Sequence, residues 1–272
     1  MPKTLRFIFS KLWTVWCALT FVILASIFYL TEFLLLAMGE TAIVAAHRWP
    51  AFCTRLLLST WGIRVKQHNE DLLRGLPQCV IVINHRCDLD ALLATGYMPG
   101  MYKFIGKKEL ENYPFIGMLV RTLYITVDRA NHQSKKQSLQ NMQNQVAKGA
   151  HIVVFPEGWS NFSNDYLLEL KRGAFKVALD GQLPILVCTF IGTHELFPKP
   201  KVEVLPGTVN VFWEALLPTA GLSFEKDEEQ IRQKVEDIFL ARLKNHYPDG
   251  YSYPADQMNF EEWRKKQLSN GK

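Results

Sequence analysis

A histidine with two nearby aspartates follows a short apolar segment, in the run Asn84-His85-Arg86-Cys87-Asp88-Leu89-Asp90. A histidine can act as a general base when a carboxylate orients its ring. Five residues separate His85 from Asp90, so on one continuous helix the two side chains would point to different faces. They can meet if His85 lies in a loop and Asp90 lies in the first helical turn, with Asp88 as the N-cap. The spacing leaves either aspartate as the orienting acid, or both aspartates as residues that serve only the helix end.

Further polar residues follow other apolar segments of the chain. Glu157 and Gly158 come directly after Ile152–Phe155. A carboxylate there can bind a substrate hydroxyl, and backbone N–H groups near Gly158 can stabilise an oxyanion. Lys107 and Arg129 also follow apolar segments, whereas Lys171 and Arg172 precede a predicted helix. These basic residues are compatible with phosphate binding, or they belong to ordinary solvated turns.

Short β-branched segments alternate with helical patterns after about residue 60, which is typical of an α/β protein. Fully apolar segments such as Cys79–Ile83 predict strands that are buried on both faces of the sheet. The predicted fold is therefore α/β, with a mixed sheet covered by helices and an N-terminal hydrophobic helical membrane segment. The predicted strands are Ile63–Lys66, Cys79–Ile83, Tyr102–Ile105, Leu123–Val127, Ile152–Phe155, Ile185–Phe190 and Val209–Trp213. The predicted helices are Asp90–Tyr97, Phe115–Thr122, Ser134–Ala147, Gly173–Leu179 and Glu225–Asn245.

The first 50 residues differ in character from the rest of the chain, because they contain only six charged residues. Leu12–Thr31 is a stretch of 20 uncharged residues, which is long enough as a helix to cross the hydrocarbon core of a bilayer. A second apolar stretch, Phe33–Ala46, follows Glu32 and is broken by Gly39 and Glu40. The sequence thus predicts two domains, with membrane-anchoring helices in residues 1–50 and a catalytic domain in residues 51–272.

Several arrangements of this N-terminal segment are open: one membrane span, a pair of helices lying in one leaflet, a cleaved signal peptide, or a core helix of a soluble protein. The paired-helix arrangement is favoured, because a single span does not need the apolar residues after Glu32. It places the catalytic domain at a membrane, on the cytoplasmic face.

Composition excludes several classes of protein. With 272 residues, 48% hydrophobic and 21% charged, the chain is long and apolar enough to fold, so disorder throughout is excluded. A net charge of +5 suits contact with anionic lipid and is too weak to predict a nucleic acid partner. The five cysteines contain no C-x-x-C pair, which argues against a disulfide framework and a structural zinc site.

Motifs of other enzyme classes are incomplete. The segment Gly158-Trp159-Ser160-Asn161-Phe162 lacks the final glycine of the G-x-S-x-G elbow of α/β-hydrolases. The glycines before Lys107 have the wrong spacing for a P-loop, and His194-Glu195 lacks the second histidine of a zinc protease. Asn161-Phe162-Ser163 is a glycosylation sequon, which matters only if this domain faces a secretory lumen.

The order of these motifs along the chain resembles that of the PlsC-type glycerolipid acyltransferases, the family of the 1-acylglycerol-3-phosphate acyltransferases. The resemblance covers roughly residues 60–215, and the hydrophobic N-terminus is also similar. The matching segments are Asn84–Asp90, Ile125–Arg129, Phe155–Gly158 and Leu183–Ile185, with accessory blocks at Lys107–Leu110 and Lys171–Ala174.

The resemblance implies a reaction and a role for each residue. An acyl group would pass from acyl-CoA or acyl carrier protein to the free hydroxyl of a lysophospholipid, without a metal or another cofactor. His85 would take the proton from the acceptor hydroxyl, and Asp90 would hold the imidazole. Glu157 and Gly158 would bind the acceptor and the oxyanion, and Arg129 and Lys107 would bind the headgroup phosphate. The acceptor oxygen would itself attack the thioester, so no acyl-enzyme is needed.

The chain departs from the family pattern after its Phe-Pro-Glu-Gly motif. The family commonly continues with Thr-Arg, whereas Trp159-Ser160 stands here. The acceptor therefore stays open between lysophosphatidate, which would give phosphatidic acid, another lysophospholipid and a lyso-aminolipid. A membrane lipid-binding protein without catalysis is the alternative outside the enzyme class.

Overall fold

The computed structural model of the chain describes residues 3–38, 43–112, 117, 120, 123–127, 141–142, 144–198 and 203–251. Within these residues, seven strands form a single sheet in the order β1-β7-β6-β2-β5-β3-β4. The strands are β1 (Ile63–His68), β2 (Val80–Ile83), β3 (Tyr102–Lys107), β4 (Tyr124–Val127), β5 (His151–Val154), β6 (Ile185–Ile191) and β7 (Gly207–Leu217). All seven predicted strands are present, with ends that differ by a few residues.

The sheet is mixed, as predicted, because β6 and β7 pair antiparallel whereas the other neighbours pair parallel. In β2, alternate side chains enter two different hydrophobic clusters. Ile81 and Ile83 face the cluster that includes Leu89, whereas Val80 and Val82 face the other. Strands covered on both faces need apolar residues at every position, which explains the continuous apolar segments in the sequence.

Helices cover both faces of the sheet. They are α1 (Lys3–Ala37), α2 (Ile43–Thr60), α3 (Leu89–Tyr97), α4 (Gly173–Asp180), α5 (Thr193–Leu196) and α6 (Phe224–His246). Helices α2 and α3 pack on one face, and α4 and α6 pack on the other. The predicted helix Phe115–Thr122 lies mostly outside the described residues, and residues 141–142 and 144–147 of predicted helix Ser134–Ala147 are helical.

The N-terminal region contains two helices. Helix α1 continues through Glu32 to Ala37, and α2 begins at Ile43. Glutamate is compatible with a helix interior, and the Glu32 side chain is fully buried. Helix α2 also runs across residue 50, where the two predicted domains meet.

One described helix segment, Phe7–Leu35, is long and apolar enough to cross a membrane. Only 17% of its most apolar window is buried, whereas the core helix of a soluble protein is mostly buried. The side chains that it exposes include Leu12, Leu19, Ile23, Ile27 and Leu30.

Helix α1 also contacts the rest of the chain. The Trp61 indole N–H lies 3.2 Å from the Cys17 carbonyl oxygen, and the Trp16 indole N–H donates to the Thr60 carbonyl at 3.1 Å. Lys11 forms an ion pair with Glu203 at 2.6 Å. Hence α1 is attached along its side to the rest of the protein.

Candidate active site

The site forms where two neighbouring strands end. Strands β2 and β5 are adjacent and parallel, so their carboxyl ends lie at the same edge of the sheet, where α/β proteins bind ligands. His85 follows the end of β2 by two residues, and Glu157 follows the end of β5 by three. Sheet topology thus brings together two motifs that lie about 70 residues apart.

His85 and Asp90 are in direct contact. Nδ1 of His85 lies 2.8 Å from Oδ2 of Asp90. His85 lies in the loop after β2, and Asp90 lies in the first turn of α3, which is the arrangement that their spacing requires. Asp90 is fully buried, whereas 16% of the His85 side chain is exposed. The pair therefore has a protected acid and a base that a substrate can reach.

The contacts of Asp90 determine which nitrogen of His85 carries the proton. Oδ2 of Asp90 accepts hydrogen bonds from the backbone N–H groups of Arg86 and Cys87, at 2.6 and 2.8 Å. These donors stabilise the ionised carboxylate, which can only accept hydrogen bonds. His85 must then donate from Nδ1, so Nε2 of the neutral ring is the acceptor. The loop thus presents Nε2 as a general base.

Asp88 has a different place from Asp90. It occupies the N-cap position of α3, without a side-chain capping hydrogen bond, and its side chain is exposed. The His85 ring bonds Asp90 at Nδ1. Of the two carboxylates that the spacing left open, Asp90 is therefore the one that orients the histidine.

Glu157 is placed differently from the expectation that it binds a substrate hydroxyl. Its side chain is buried, and its two oxygens accept the backbone N–H groups of His85, at 2.7 Å, and Leu168, at 2.9 Å. Burial raises the pKa of the Glu157 carboxyl to about 7, although the two N–H donors and Arg86 oppose this shift. In this geometry Glu157 stabilises the His85 loop by hydrogen bonds and is not exposed to substrate.

Gly158 lies in a tight turn after β5. Its φ of +73° lies in the left-handed region that favours glycine. Its N–H donates to the Phe155 carbonyl oxygen at 3.0 Å, so this N–H closes a turn instead of pointing at an oxyanion. The turn leads to Ser160, whose Oγ lies near the His85 ring.

Ser160 contacts His85, which sequence reasoning missed. Its Oγ lies 3.1 Å from Nε2 of His85, the nitrogen that serves as acceptor. The signal was the serine in the incomplete elbow motif, but the motif lacks its last glycine and so gave no reason to place this serine near His85. Asp90, His85 and Ser160 thus form a continuous hydrogen-bonded series.

Two further residues hold the His85 loop and were not predicted. The Asn84 side chain bonds both the N–H and the carbonyl of Phe190 in β6, at 2.7 and 2.9 Å. The buried Arg86 guanidinium donates to the carbonyl oxygens of Ser163 and Asp165, and it lies 3.6 Å from the ring centroid of Tyr251. These contacts fix the loop on both sides of His85.

A cavity of about 750 Å³ opens beside His85 and extends between the N-terminal helices and the sheet. It is mostly apolar, and its volume lies in the usual range of small-molecule sites. At the strand ends it is lined by His85, Phe155, Gly158, Trp159 and Ser160. In α1 and α2 it is lined by Thr14, Cys17, Ala18, Phe21, Val22, Leu24, Ala25, Phe28, Tyr29, Pro50, Cys53, Thr54 and Leu57. The reactive end is thereby continuous with an apolar channel along α1.

The predicted phosphate ligands are not brought to His85 by the described contacts. Arg129 lies outside the described residues, and for Lys107 only the backbone, at the end of β3, is described. Lys171 pairs with Glu169 at 2.6 Å, and Arg172 pairs with Glu228 of α6 at 2.8 Å. Lys171 therefore belongs to an exposed ion pair, and Arg172 to an ion pair with a buried glutamate.

Residues 64–191 match the family model described as Acyltransferase. The matched segment contains the His85 loop, the Glu157 loop and five of the strands. Residues 64–191 therefore carry an acyltransferase domain. The family that the order of its motifs indicated is thereby confirmed.

Curated relatives agree with this assignment. A 1-acyl-sn-glycerol-3-phosphate acyltransferase from Cocos nucifera is 29% identical over 63% of this chain and 54% of its own length. The human 1-acyl-sn-glycerol-3-phosphate acyltransferase beta is 29% identical over 60% of this chain and 59% of its own. The chain thus spans less than two thirds of the length of these relatives.

A solved structure has the same fold. It is the 1-acyl-sn-glycerophosphate acyltransferase PlsC from Thermotoga maritima, with a TM-score of 0.75 over 91% of this chain and 100% of that chain. The sequences are 21% identical. The predicted α/β fold with its N-terminal apolar helices is confirmed by this neighbour.

Proposed function

We propose that this protein moves a fatty acyl group from a thioester to the free hydroxyl of a lysophospholipid. The observation that carries the proposal is the His85–Asp90 pair, whose Nε2 faces a cavity that continues along an apolar helix. A base at the end of an apolar channel suits a reaction in which a hydroxyl attacks an acyl group whose hydrocarbon chain is bound nearby.

His85 has the geometry of the base for this reaction. Nε2 takes the proton as the acceptor oxygen attacks the acyl carbonyl carbon, and the carbon–sulfur bond of the thioester breaks. Asp90 then stabilises the positive imidazolium, since its Oδ2 already accepts the Nδ1 hydrogen. The same proton passes to the departing thiolate. Such a base contributes roughly 10²–10⁴-fold to a rate.

The cavity along α1 is the proposed site of the acyl chain. Phe21, Leu24, Ala25 and Phe28 line it from one side of α1. Each methylene group that leaves water for this channel stabilises the bound state by about 0.8 kcal/mol. A long acyl chain thereby binds without any polar contact, which leaves the polar end of the molecule at His85.

Lysophosphatidate, that is 1-acylglycerol-3-phosphate, is the proposed acceptor, and phosphatidic acid is the product. The printed names of the coconut and human relatives support this choice. Arg129 and Lys107 remain the proposed ligands of the headgroup phosphate. The proposed donors are acyl-CoA and acyl carrier protein, with no further cofactor.

Helices α1 and α2 are proposed to lie in one leaflet, with the catalytic domain on the cytoplasmic face. Helix α1 is attached to the domain along its side through Lys11, Trp16 and Cys17, while its other side exposes large apolar residues. A helix of this kind can bury its apolar face in a membrane and keep the site beside the lipid.

The proposal is tested with purified protein in detergent, a labelled acyl thioester and a panel of acceptors. The panel holds lysophosphatidate, other lysophospholipids and lyso-aminolipids, and His85→Ala is the control. Labelled phosphatidic acid that disappears in the variant supports the proposal. Transfer to another lysolipid alone overturns the proposed acceptor, and no transfer from either donor class overturns the activity.

A further inference from the structure

The residue that follows His85 carries a buried positive charge. Arg86 is 1% exposed, and its backbone N–H donates to Oδ2 of Asp90 at 2.6 Å. Because Arg86 is bonded to His85 along the chain and to Asp90 by this hydrogen bond, a shift of its backbone would move the base relative to its orienting acid. The contacts that hold the Arg86 side chain therefore also hold the reactive geometry.

The contacts of the Arg86 guanidinium include two carbonyl groups and one aromatic ring. Its terminal nitrogens donate to the carbonyl oxygens of Asp165, at 2.8 Å, and Ser163, at 2.9 Å. The Tyr251 ring lies against the guanidinium, with 3.6 Å between Cζ of Arg86 and the ring centroid. An aromatic face attracts a cation most strongly where water is excluded, and Tyr251 is buried. The ring thus takes the place of solvent over this charge.

Other aromatic rings hold Tyr251 in place. The ring centroids of Tyr166, His194 and Tyr247 lie 5.8, 4.8 and 4.5 Å from its own. The Tyr166 hydroxyl donates to the Tyr247 carbonyl oxygen at 2.5 Å, which fixes this cluster to the end of α6. Burial, together with the charge of Arg86, lowers the pKa of His194 to about 4. At neutral pH His194 is therefore uncharged and does not compete with Arg86 for the Tyr251 ring.

Tyr251 comes from a part of the chain outside the segment that matches the acyltransferase family model. That segment ends at residue 191, whereas Tyr251 follows the last residue of α6 by five positions. Residues 64–191 alone thus do not contain all the groups that hold the His85 loop.

We propose that Tyr251 is a positioning residue for acyl transfer, which acts through Arg86 on the His85 loop. Tyr251 is not part of the described cavity wall, so its loss should lower turnover and leave substrate binding unchanged. A displacement of about 1 Å at reacting groups can lower a rate roughly 100-fold. The inference rests on the proposed transferase function and names a residue on which its rate depends.

The test is the steady-state kinetics of the full-length protein in detergent, with acyl-CoA and lysophosphatidate varied in turn. Tyr251→Leu removes the ring face, so kcat should fall roughly tenfold or more, while both KM values stay within about threefold of the wild type. Tyr251→Phe keeps the ring face and should keep kcat within about threefold. This rescue by phenylalanine separates the ring from the hydroxyl.

Phe212→Leu is the matched control. The Phe212 ring lies 4.1 Å from Cζ of Arg242, in a similar pair that joins β7 to α6. Its loss should leave kcat within about twofold of the wild type.

A double variant shows whether Tyr251 acts through Arg86. Tyr251→Leu and Arg86→Lys change the two sides of one contact, so the double variant should be about as slow as the slower single variant. Losses that multiply would show that the two residues act independently, which would contradict the inference.

The thermal midpoint of each variant is measured first, and all rates are compared at a temperature where the variants are folded. If Tyr251→Leu does not fold, Tyr251→Met takes its place under the same limits, because methionine is larger than leucine and also lacks a ring face. Loss of the fold in both variants would make Tyr251 a residue of general stability and would overturn the inference.

The remaining outcomes distinguish this inference from the proposed function. Transfer by the wild type, with kcat of folded Tyr251→Leu within about threefold, overturns the positioning role and leaves the transferase intact. A raised KM with unchanged kcat would place Tyr251 in substrate binding and also overturn it. An equal loss in Tyr251→Leu and Tyr251→Phe would assign the effect to the hydroxyl and overturn the role of the ring. No transfer by the wild type overturns the proposed function itself.

Discussion

The strand-end site and the N-terminal helix pair differ in the kind of interaction that they offer. In the site, Asn84, His85, Asp90 and Glu157 make short hydrogen bonds to one another or to backbone groups of adjacent strands and loops. Along α1, the cavity wall and the exposed surface are apolar, and polar contacts occur mainly where the helix meets the domain.

This difference shows how the two parts can divide recognition and chemistry. Directional hydrogen bonds fix the atoms of the site to within a few tenths of an ångström, which general base catalysis requires. Apolar contact is non-directional and scales with area, so the helix pair can accept a flexible chain without a defined position for each atom. Substitutions in the site should therefore change turnover, whereas substitutions in α1 should change the selection of lipid.

The largest effect is expected for His85→Ala. The variant removes the described base at the cavity wall, so transfer should fall by roughly 10³-fold or more. The measurement is the rate of phosphatidic acid formation at saturating substrates. Retention of activity within tenfold would remove His85 from the mechanism.

The next largest effect is expected for Asp90→Asn, with Asp88→Asn as the comparison. Asp90→Asn should lower kcat by roughly 10²–10⁴-fold, because a neutral amide no longer stabilises the imidazolium. Asp88→Asn is the matched control and should stay within about threefold, since Asp88 is the exposed N-cap residue. The reverse order of the two rates would make Asp88 the orienting acid.

A smaller loss is expected for Glu157→Gln. One backbone N–H, of His85 or of Leu168, would then face an amide nitrogen instead of an oxygen, which costs about 1–3 kcal/mol of stability. We expect kcat to fall about tenfold, because the His85 loop loses part of its brace. Glu169→Gln, an exposed glutamate paired with Lys171, is the matched control and should behave like the wild type.

The raised pKa of Glu157 predicts that the stability of the protein depends on pH. The native pKa is raised from 4.5 to about 7, so the native state holds this proton more tightly than the unfolded chain does. Its contribution to stability is thus present below about pH 4.5 and is lost as the pH rises through about 7. Between pH 5 and 8, the thermal midpoint of the wild type should fall relative to that of Glu157→Gln. A constant difference would contradict the raised pKa.

The smallest effect on turnover is expected on the exposed side of α1. The double variant Ile23→Asn and Ile27→Asn should weaken binding to lipid vesicles at least tenfold. In the wild type, both exposed side chains move from water into the membrane on binding, which stabilises the bound state. The rate on soluble short-chain thioesters should not change. Lower activity on soluble substrates, with unchanged vesicle binding, would reverse the division between the two regions.

The sequence predicts the sheet and the histidine pair better than it predicts the rest of the site. Apolar segments with β-branched residues are local signals, so the strands can be identified without tertiary information. The five-residue spacing of His85 and Asp90 likewise limits the geometry in which the two can meet. Both conclusions depend on residues that are close in sequence.

The roles of Glu157 and Ser160 depend on contacts that cannot be predicted from the residue types alone. The partners of Glu157 are backbone N–H groups, one of them 72 residues earlier in the chain. The contact of Ser160 with His85 depends on the turn at Gly158 and on the parallel pairing of β2 with β5. The burial of Glu32 within α1 likewise depends on packing and has no signal in its residue type.

The most direct test of the division between chemistry and lipid selection compares donor chain lengths in two variants. Ala25 lines the cavity from α1, whereas Ile23 in the same helix is exposed. Ala25→Phe should lower kcat/KM for a hexadecanoyl thioester at least tenfold and leave a butanoyl thioester unchanged, with Ile23→Phe as the control. His85→Ala should lower kcat/KM equally for both thioesters. Equal loss of both chain lengths in Ala25→Phe, or butanoyl transfer retained in His85→Ala, would contradict the account.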